Sequence, residues 1–588
     1  MLALSRRAVA ISFLLLLAAP LSAQDVDLQW GVRIPLRDGL ELNATVYRPA
    51  GQKEPLPVVF TLTPYISDSY HPRAMYFARN GYVFALVDAR GRGSSGGVFD
   101  PLAQEVQDGP EIVEWLARQP WSNGKVTMWG GSYAGYNQWA AAWGRPPHLA
   151  TIIPAASPYP GVDFPATKNI FFSYDIQWLT FTSGKTGNSN LFGESSFWIQ
   201  KFREMYLGHK PFRELDRLVG NPNPVFQKWL SHPTVDSYWK SMLPTSEQLA
   251  KVDLPILTIT GHYDGDQPGA ITFYREHMRH GSAAARDRHY LIVGPWDHAG
   301  TRTPRPEVGG LTFGAASVLD LNKLHKEWYD WTMKGGPKPD FLKKRVAYYV
   351  VGPGAEEWKY ADSLEEIGAR KRAFYLGSEN GRANDAFQSG RMTETKPAGP
   401  SQPDRWAYDP LDTRPGEELE RESVDHYITD QRYALNLYGN GAVYHTEPFT
   451  EATEVSGQVK LALWMALDVP DTDFRADLYE ILPEGGSVLL TTDYVRARYR
   501  ESLERETLVP PGKILRYEFT GFPWFSRRIS KGSRLRLVVS CLNSIYFQKN
   551  YNSGGVVADE TAKDARIAHV VLYHDAEHPS ALEIPIVP

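Results

Sequence analysis

A serine hydroxyl becomes a useful nucleophile where a sharp strand-to-helix turn exposes it and a base can take its proton. Two stretches offer such a serine. Gly93-Ser94-Ser95-Gly96-Gly97 fits the glycine-x-serine-x-glycine pattern strictly. Gly130-Gly131-Ser132-Tyr133-Ala134-Gly135 departs from it, with Ala134 where glycine is expected and Gly135 one place later. Context favours the second. The strand-like Lys125–Trp129 runs into Ser132, and the alanine-rich, helix-favouring Tyr136–Trp143 follows it. After Ser95 come glycine, valine, phenylalanine, aspartate and Pro101, which do not start a helix promptly. On pattern and context alone, both serines remain open.

An acid and a base should follow at the ends of later strands, in the order serine, aspartate, histidine. Gly261-His262-Tyr263-Asp264-Gly265-Asp266 follows the apolar run Ile256–Thr260, and Gly294-Pro295-Trp296-Asp297-His298 follows Leu291–Val293. Ligands gather at that carboxyl edge of open α/β sheets. His298 is the candidate base. Asp264 is the candidate acid, with Asp266 and Asp297 as rivals. A tetrahedral intermediate also needs donors aimed at its oxyanion. The backbone N–H of Tyr133 is one, and the hydroxyl of Tyr65, at the end of the run Val58–Leu62, could be the second. Other chemistry-bearing pairs are weaker. His277-x-x-His280 has metal-like spacing without a third ligand, so surface histidines are the expectation. Asp471-Thr472-Asp473 could bind calcium or simply form a turn. No metal site and no cofactor are predicted.

These residues need a scaffold. Two short strands around Val32–Leu36 and Leu42–Tyr47 are joined through Asp38-Gly39, with Pro35 marking an edge. Apolar runs then recur at Val58–Leu62, Tyr82–Val87, Lys125–Trp129, Ala150–Pro154, Leu254–Thr260 and His289–Val293. Runs that do not alternate fit strands buried on both faces, as in a parallel sheet. Helical patterns lie between them. One carries Ile112, Val113, Trp115 and Leu116 behind Pro110, expected in a first turn. Others span Ile271–Met278 and Leu321–Trp331. Alternation of this kind implies an α/β domain with right-handed crossovers. Between about Ser157 and Val252 it is interrupted by an aromatic, mainly helical insert, placed as a lid over a cleft, with Phe172 and Trp178 as candidate substrate contacts. Beyond Lys338 strands predominate, opened by Val346–Val351, which suggests a sandwich or jelly roll of about 240 residues.

Composition sets the outer limits. The 588 residues suggest about three domains. Lys plus Arg number 63 against 68 Asp plus Glu, so the net charge of −5 gives no basic footprint for nucleic acid. The one cysteine, Cys541, excludes an internal disulfide and reads as a buried small hydrophobe. At the N-terminus, Arg6-Arg7, the short apolar core Ile11–Leu17 and small residues up to Ala23 read as an export signal, with a weak twin-arginine look at Ser5-Arg6-Arg7. The core is too short to span a bilayer comfortably. A periplasmic or secreted protein, free of the membrane once the signal is removed, is the expectation.

Several ordered motifs together are more specific than any one. Gly130-x-Ser132-Tyr133-x-Gly135, Gly261-x-Tyr263-Asp264 and Gly294-Pro295-Trp296-x-His298 resemble those of cocaine-esterase-like hydrolases, a group that includes α-amino-acid ester hydrolases, cephalosporin acylases and the X-Pro dipeptidyl-peptidases. Thr63-Pro64-Tyr65, Asp88-Ala89-Arg90-Gly91-Arg92-Gly93, Asp471–Phe474, Arg496–Arg500 and Lys531–Leu537 also match in order and place. The resemblance implies an α/β-hydrolase domain with a helical cap insertion and a C-terminal all-β jelly roll. The implied divisions are a signal peptide over 1–23, hydrolase over 24–156 and 253–338, cap over 157–252 and jelly roll over 339–588. It maps the nucleophile to Ser132, the acid to Asp264, the base to His298 and the oxyanion donors to Tyr65 and the Tyr133 N–H, and demotes Ser95 to a structural turn. The α-amino-ester branch holds a substrate ammonium with acids. Here Asp266 keeps one such position, Gln267 loses another, and Asp163 or Asp175 could supply a third from the insert. The implied activity is cleavage of a small ester, amide or short peptide through an acyl-enzyme. The alternatives are a dipeptidyl-peptidase or α-amino-acid ester hydrolase that needs a free substrate amine, and an inactive carbohydrate-binding protein.

Overall fold

The computed structural model describes residues 25–587, so the predicted export signal lies outside the described residues. Among these residues the first part of the chain forms a ten-stranded sheet. Its strands begin with β1 (Val26–Pro35), β2 (Glu41–Pro49), β3 (Leu56–Thr63), β4 (Val83–Asp88), β5 (Ser122–Gly131) and β6 (Leu149–Ala155). Interleaved with them are α1 (His71–Arg79), α2 (Glu105–Ala117) and α3 (Tyr133–Gly144). After a two-residue hairpin, β7 (Ala166–Thr167) and β8 (Ile170–Phe171), the insert is helical: α4 (Tyr174–Phe181), α5 (Ser189–Phe192), α6 (Ser195–Leu207), α7 (Leu215–Leu218), α8 (Pro224–Leu230), α9 (Ser237–Lys240) and α10 (Ser246–Ala250). The sheet resumes with β9 (Ile256–Tyr263), α11 (Gln267–His280), α12 (Ala283–Asp287) and β10 (His289–Asp297).

The sheet order begins β1-β2-β4-β3-β5-β6-β9-β10, with β1 at the edge, as Pro35 requires. From β4 to β10 every pairing is parallel. The inner strands are buried along nearly their whole length, which is why they read as unbroken apolar runs. Two expectations are corrected. Val346–Val351 does not open the all-β part. Val346–Val350 pairs parallel with β10, and Glu357–Ala361 pairs antiparallel with it in turn, so the first sheet runs past residue 338 to Ala361. An apolar run states that a strand is buried and is silent on which sheet buries it. Pro110 lies inside α2 and not in its first turn. The earlier residues Glu105 and Asp108 are polar yet buried, so the apolar period missed them.

From Arg370 onward thirteen strands form a second, largely antiparallel sheet assembly, an all-β domain with its own apolar core. It is stitched to the rest by polar contacts. The Gln267 amide donates to the carbonyls of Gly261 (3.0 Å) and Trp524 (2.6 Å) and accepts from the Trp524 N–H (2.7 Å). From the insert, Ser173 Oγ donates to the Ile545 carbonyl at 2.7 Å. Asp471 and Asp473 face arginines: Arg498 Nε is 2.8 Å from Asp471 and Arg496 Nε 2.8 Å from Asp473. Buried guanidinium pairs therefore occupy the carboxylates that could have suggested calcium. Cys541 is buried, as expected. Among the described residues no helix is long and apolar enough to cross a membrane.

Candidate active site

Ser132 stands between β5 and α3 with φ 61° and ψ −130°, a left-handed backbone that non-glycine residues adopt only under constraint. The constraint is close packing. A Cβ on Gly130 would come within 2.5 Å of the Ala134 Cβ, and one on Gly135 within 2.3 Å of the Ala155 carbonyl. The tight approach falls at Gly135, which explains why the second glycine of the motif is displaced by one. Ser95, the rival, is buried and used. Its Oγ accepts from the Asn43 N–H (2.8 Å) and donates to the Asp88 carbonyl (2.7 Å). It is a structural turn residue.

Asp264 and His298 end adjacent parallel strands, β9 and β10, and meet at the sheet edge. Asp264 Oδ1 lies 2.7 Å from His298 Nδ1. The same carboxylate accepts from the Thr260 hydroxyl (3.0 Å) and the Asp266 N–H (3.0 Å), so it is fixed from three directions. Of its rivals, Asp266 Oδ2 stands 3.8 Å from the same ring nitrogen, and Asp297 instead accepts the Gly300 N–H at 2.7 Å within its own turn. With Nδ1 engaged by a carboxylate, the other ring nitrogen is left to handle protons. The imidazole is 40% exposed, and it lines the same cavity of about 350 Å³ as Ser132. No Ser132–His298 hydrogen bond is among the contacts of these residues. Such bonds commonly tighten only when substrate is bound.

The electrostatics follow from crowding. Burial opposes charging His298, but the negative charges of Asp266 and Asp264 outweigh it and raise its pKa above the ordinary value. Burial raises Asp264, but the imidazolium beside it and the hydrogen bonds it accepts bring it below the usual carboxylate range. Asp266 moves the other way. Burial, then repulsion from Asp163 and Asp264, hold it well above that range against the pull of His298 and Arg302.

Tyr65 Oη is 3.5 Å from Ser132 Oγ and accepts a 3.1 Å hydrogen bond from the Trp178 indole. That bond occupies a lone pair, so the phenol proton is free to point toward Ser132. Burial holds the Tyr65 phenol up at about 12, so it stays a donor at neutral pH. Tyr133 is the first residue of α3, where backbone N–H groups have no partner within the helix. Its side chain is used elsewhere: the hydroxyl hydrogen-bonds the buried Glu105 carboxylate and accepts from the Leu102 N–H (2.8 Å).

Asp266, Phe172 and Trp178 all line the cavity. So does Asp163, one of the two insert acids the sequence offered, and so do Phe164 and Tyr174, which sequence reasoning did not single out as contacts. Asp163 accepts the N–H groups of Tyr159 (2.8 Å) and Gly269 (2.5 Å). Asp175 is fully buried and accepts from the Phe172 N–H at 3.2 Å; it is not among the lining residues. Gln267 is committed to the domain junction. His277 is buried against His289 (2.9 Å) and the Val252 carbonyl (3.0 Å), which corrects the expectation of a surface position, while His280 pairs with Glu276. Among the described residues no group of three or more His, Cys, Asp or Glu side chains is placed to hold a metal ion. Arg302, whose charge is felt by His298 and Asp266, belongs to no motif and was missed.

Two family models match this chain. The X-Pro dipeptidyl-peptidase (S15 family) model matches residues 38–300, and the X-Pro dipeptidyl-peptidase C-terminal non-catalytic domain model matches 339–583. The cocaine esterase of Rhodococcus sp. (strain MB1 Bresler) is 28% identical, over 95% of this chain and 98% of its own. A putative serine esterase of Mycobacterium bovis is 22% identical over 94% of each. Among solved structures, an α-amino acid ester hydrolase superposes with a TM-score of 0.80 at 21% identity, covering 98% of this chain and 100% of its own. An aminopeptidase from a marine sediment Thaumarchaeota archaeon gives 0.78 at 22%, covering 96% and 97%. The fold is thus an α/β-hydrolase type with a C-terminal all-β domain, and the protein is a serine hydrolase. Within that class the chain belongs to the cocaine-esterase and X-Pro dipeptidyl-peptidase family.

Proposed function

We propose that this chain is an exported hydrolase that cleaves an ester or amide acyl bond through Ser132, His298 and Asp264. The observation that carries the reading is the 2.7 Å Asp264–His298 hydrogen bond at one edge of a cavity that Ser132 enters from a strained turn. His298 takes the hydroxyl proton as Ser132 attacks the carbonyl carbon. The oxyanion is held by the Tyr133 N–H and the Tyr65 hydroxyl. His298 then protonates the leaving group, and water, deprotonated by the same imidazole, releases the acid. The helical insert acts as a cap, and its Phe164, Phe172 and Trp178 make an apolar seat for the acyl group. The all-β domain, a jelly roll in this reading, closes the seat from the Phe172 side, where the Phe172 and Phe547 rings pack 5.3 Å apart. The N-terminal segment supports a periplasmic or secreted site of action. Ser132→Ala is expected to lower turnover by several orders of magnitude and to abolish labelling by a fluorophosphonate at that residue. Near-normal hydrolysis by the variant would overturn the assignment.

A second reading has one observation in its favour. Asp163 and Asp266 bring two carboxylates into an otherwise aromatic cavity, which suits a substrate ammonium. In that case the enzyme is a dipeptidyl-peptidase or an α-amino-acid ester hydrolase.

A further inference from the structure

A second cavity, of about 510 Å³, is lined from the same three segments as the first. The three segments that carry the reacting groups each contribute to both. Tyr65 lines the first cavity and Ser69 and Tyr70 the second; Ser132 the first and Trp129 the second; His298 the first and Arg302 the second. The second cavity is thus built from the segments of the same reacting centre, with Arg302 supplied by the loop that follows His298.

Its chemistry differs. The first is aromatic with surplus carboxylates, whereas the second carries two arginines. Arg73 lies 5.3 Å over the Trp129 ring and is spent: it donates to Asn322, to the Arg302 carbonyl (2.9 Å) and to Thr303 Oγ1 (2.7 Å). Arg302 is not spent. Its guanidinium has five N–H donors, and among the described residues its one side-chain hydrogen bond goes from Nη1 to Thr301 Oγ1 at 3.2 Å. Among the described residues neither arginine forms an ion pair. The rim carboxylate Asp320 caps the helix Leu321–Lys334 by accepting the Lys323 N–H at 3.0 Å. Arg302 also presses on the nucleophile's own turn, since a Cβ on Gly131 would come within 2.6 Å of its Nη1. An unpaired planar cation half-sheltered beside a reacting centre is suited to a planar anion.

We infer that this second cavity is a leaving-group subsite that takes a carboxylate, held by Arg302 with Trp129 and Tyr70 beneath it. The inference rests on the proposed acyl transfer at Ser132 and adds the substrate class: esters or amides whose leaving alcohol or amine carries a carboxylate. The carboxylate is a spectator. The acyl C–O or C–N bond breaks, the leaving atom takes its proton from the His298 imidazolium, and water completes the acid.

The test is a matched pair of benzoyl esters, of 3-hydroxybenzoate and of 3-hydroxybenzamide, given to the full chain and to Arg302→Met and Arg302→Lys. The expected kcat/KM ratio of carboxylate to amide ester is at least tenfold in the unaltered enzyme. It should fall to near one in Arg302→Met and lie between in Arg302→Lys. Free 3-hydroxybenzoate should inhibit the unaltered enzyme at least tenfold more strongly than 3-hydroxybenzamide, a measurement that needs no variant to fold. A ratio at or below one in the unaltered enzyme overturns the subsite and leaves the acyl-transfer reading standing. An unchanged ratio in Arg302→Met, in a variant still labelled by fluorophosphonate, does the same. Hydrolysis of neither ester with no labelling of Ser132 overturns both.

Discussion

At the edge of the first sheet, Asp264 and Asp266 share one imidazole while Asp163 repels Asp266, whereas in the all-β domain Asp471 and Asp473 each have a guanidinium of their own. The second arrangement is closed. Asp473 receives Nε and Nη2 of Arg496, both at 2.8 Å, and Asp471 receives Nε and the backbone N–H of Arg498, both at 2.8 Å. Asn550 donates to both carboxylates, at 2.7 and 3.0 Å. Each carboxylate faces a guanidinium, although burial still holds Asp471 above the usual carboxylate range and, among the described residues, Arg498 Nη2 is buried without a hydrogen-bond partner. In the first arrangement carboxylates outnumber the base. The excess appears as an imidazole held above its ordinary pKa and an Asp266 held above the usual carboxylate range. Matched charges make a fixed joint, and mismatched ones leave protons to move, which is what acid–base chemistry needs.

The matched cluster should break hardest. Asp473→Asn leaves the Arg496 guanidinium buried beside a neutral amide, and losing one partner of a buried pair costs about 3–5 kcal/mol. A denaturant titration followed by tryptophan fluorescence should show the loss in the transition of the all-β domain. A change below about 1 kcal/mol would mean that the pair is a passive surface contact, against its burial and bidentate geometry.

In the mismatched region the largest single contribution outside the proposed triad is expected from Tyr65. Tyr65→Phe removes the proposed oxyanion donor and keeps the ring that stacks on Phe181 at 5.5 Å. Turnover should fall about 10²–10³-fold with KM little changed. A rise in KM at constant kcat would instead make Tyr65 a ground-state contact.

The two regions also differ in how they could be read from sequence. The strand runs, the turn at Ser132 and the placement of Asp264 and His298 past strand ends are local signals, because parallel strands bury both faces and the catalytic edge lies where they stop. Ser95 and Ser132 could not be separated by pattern. What separates them is whether the hydroxyl is spent on Asn43 and Asp88, a contact 52 residues away in the chain for the first. Asp471 and Asp473 looked like a turn or a calcium site because their partners, Arg496 and Arg498, are 23 and 27 residues on. Arg302 was invisible for a related reason: its proposed role rests on its having no carboxylate partner among the described residues, and sequence records residues and not their pairing. The assignment of Val346–Val350 to the first sheet is set by backbone pairing with β10, which side-chain type does not encode.

Asp266→Asn gives the smallest and most diagnostic effect, because it removes one negative charge from the mismatched cluster and preserves shape. In the proposed mechanism the base must be neutral to accept the Ser132 proton, so kcat/KM should fall on the acid side with a midpoint above the ordinary histidine value. Asp266 is the largest of the attractions that hold the imidazolium proton. Its neutralisation should therefore move the acid limb to lower pH, by a fraction of a unit. An unmoved limb would mean that Asp266 is already protonated when His298 titrates, and that Asp264 alone sets the base. The same variant separates the two readings of the cavity. If a substrate ammonium is seated between Asp163 and Asp266, kcat/KM for free aminoacyl esters should drop at least tenfold while their N-acetylated counterparts are spared. If the cavity seats only an apolar acyl group, both should follow the pH shift and nothing more.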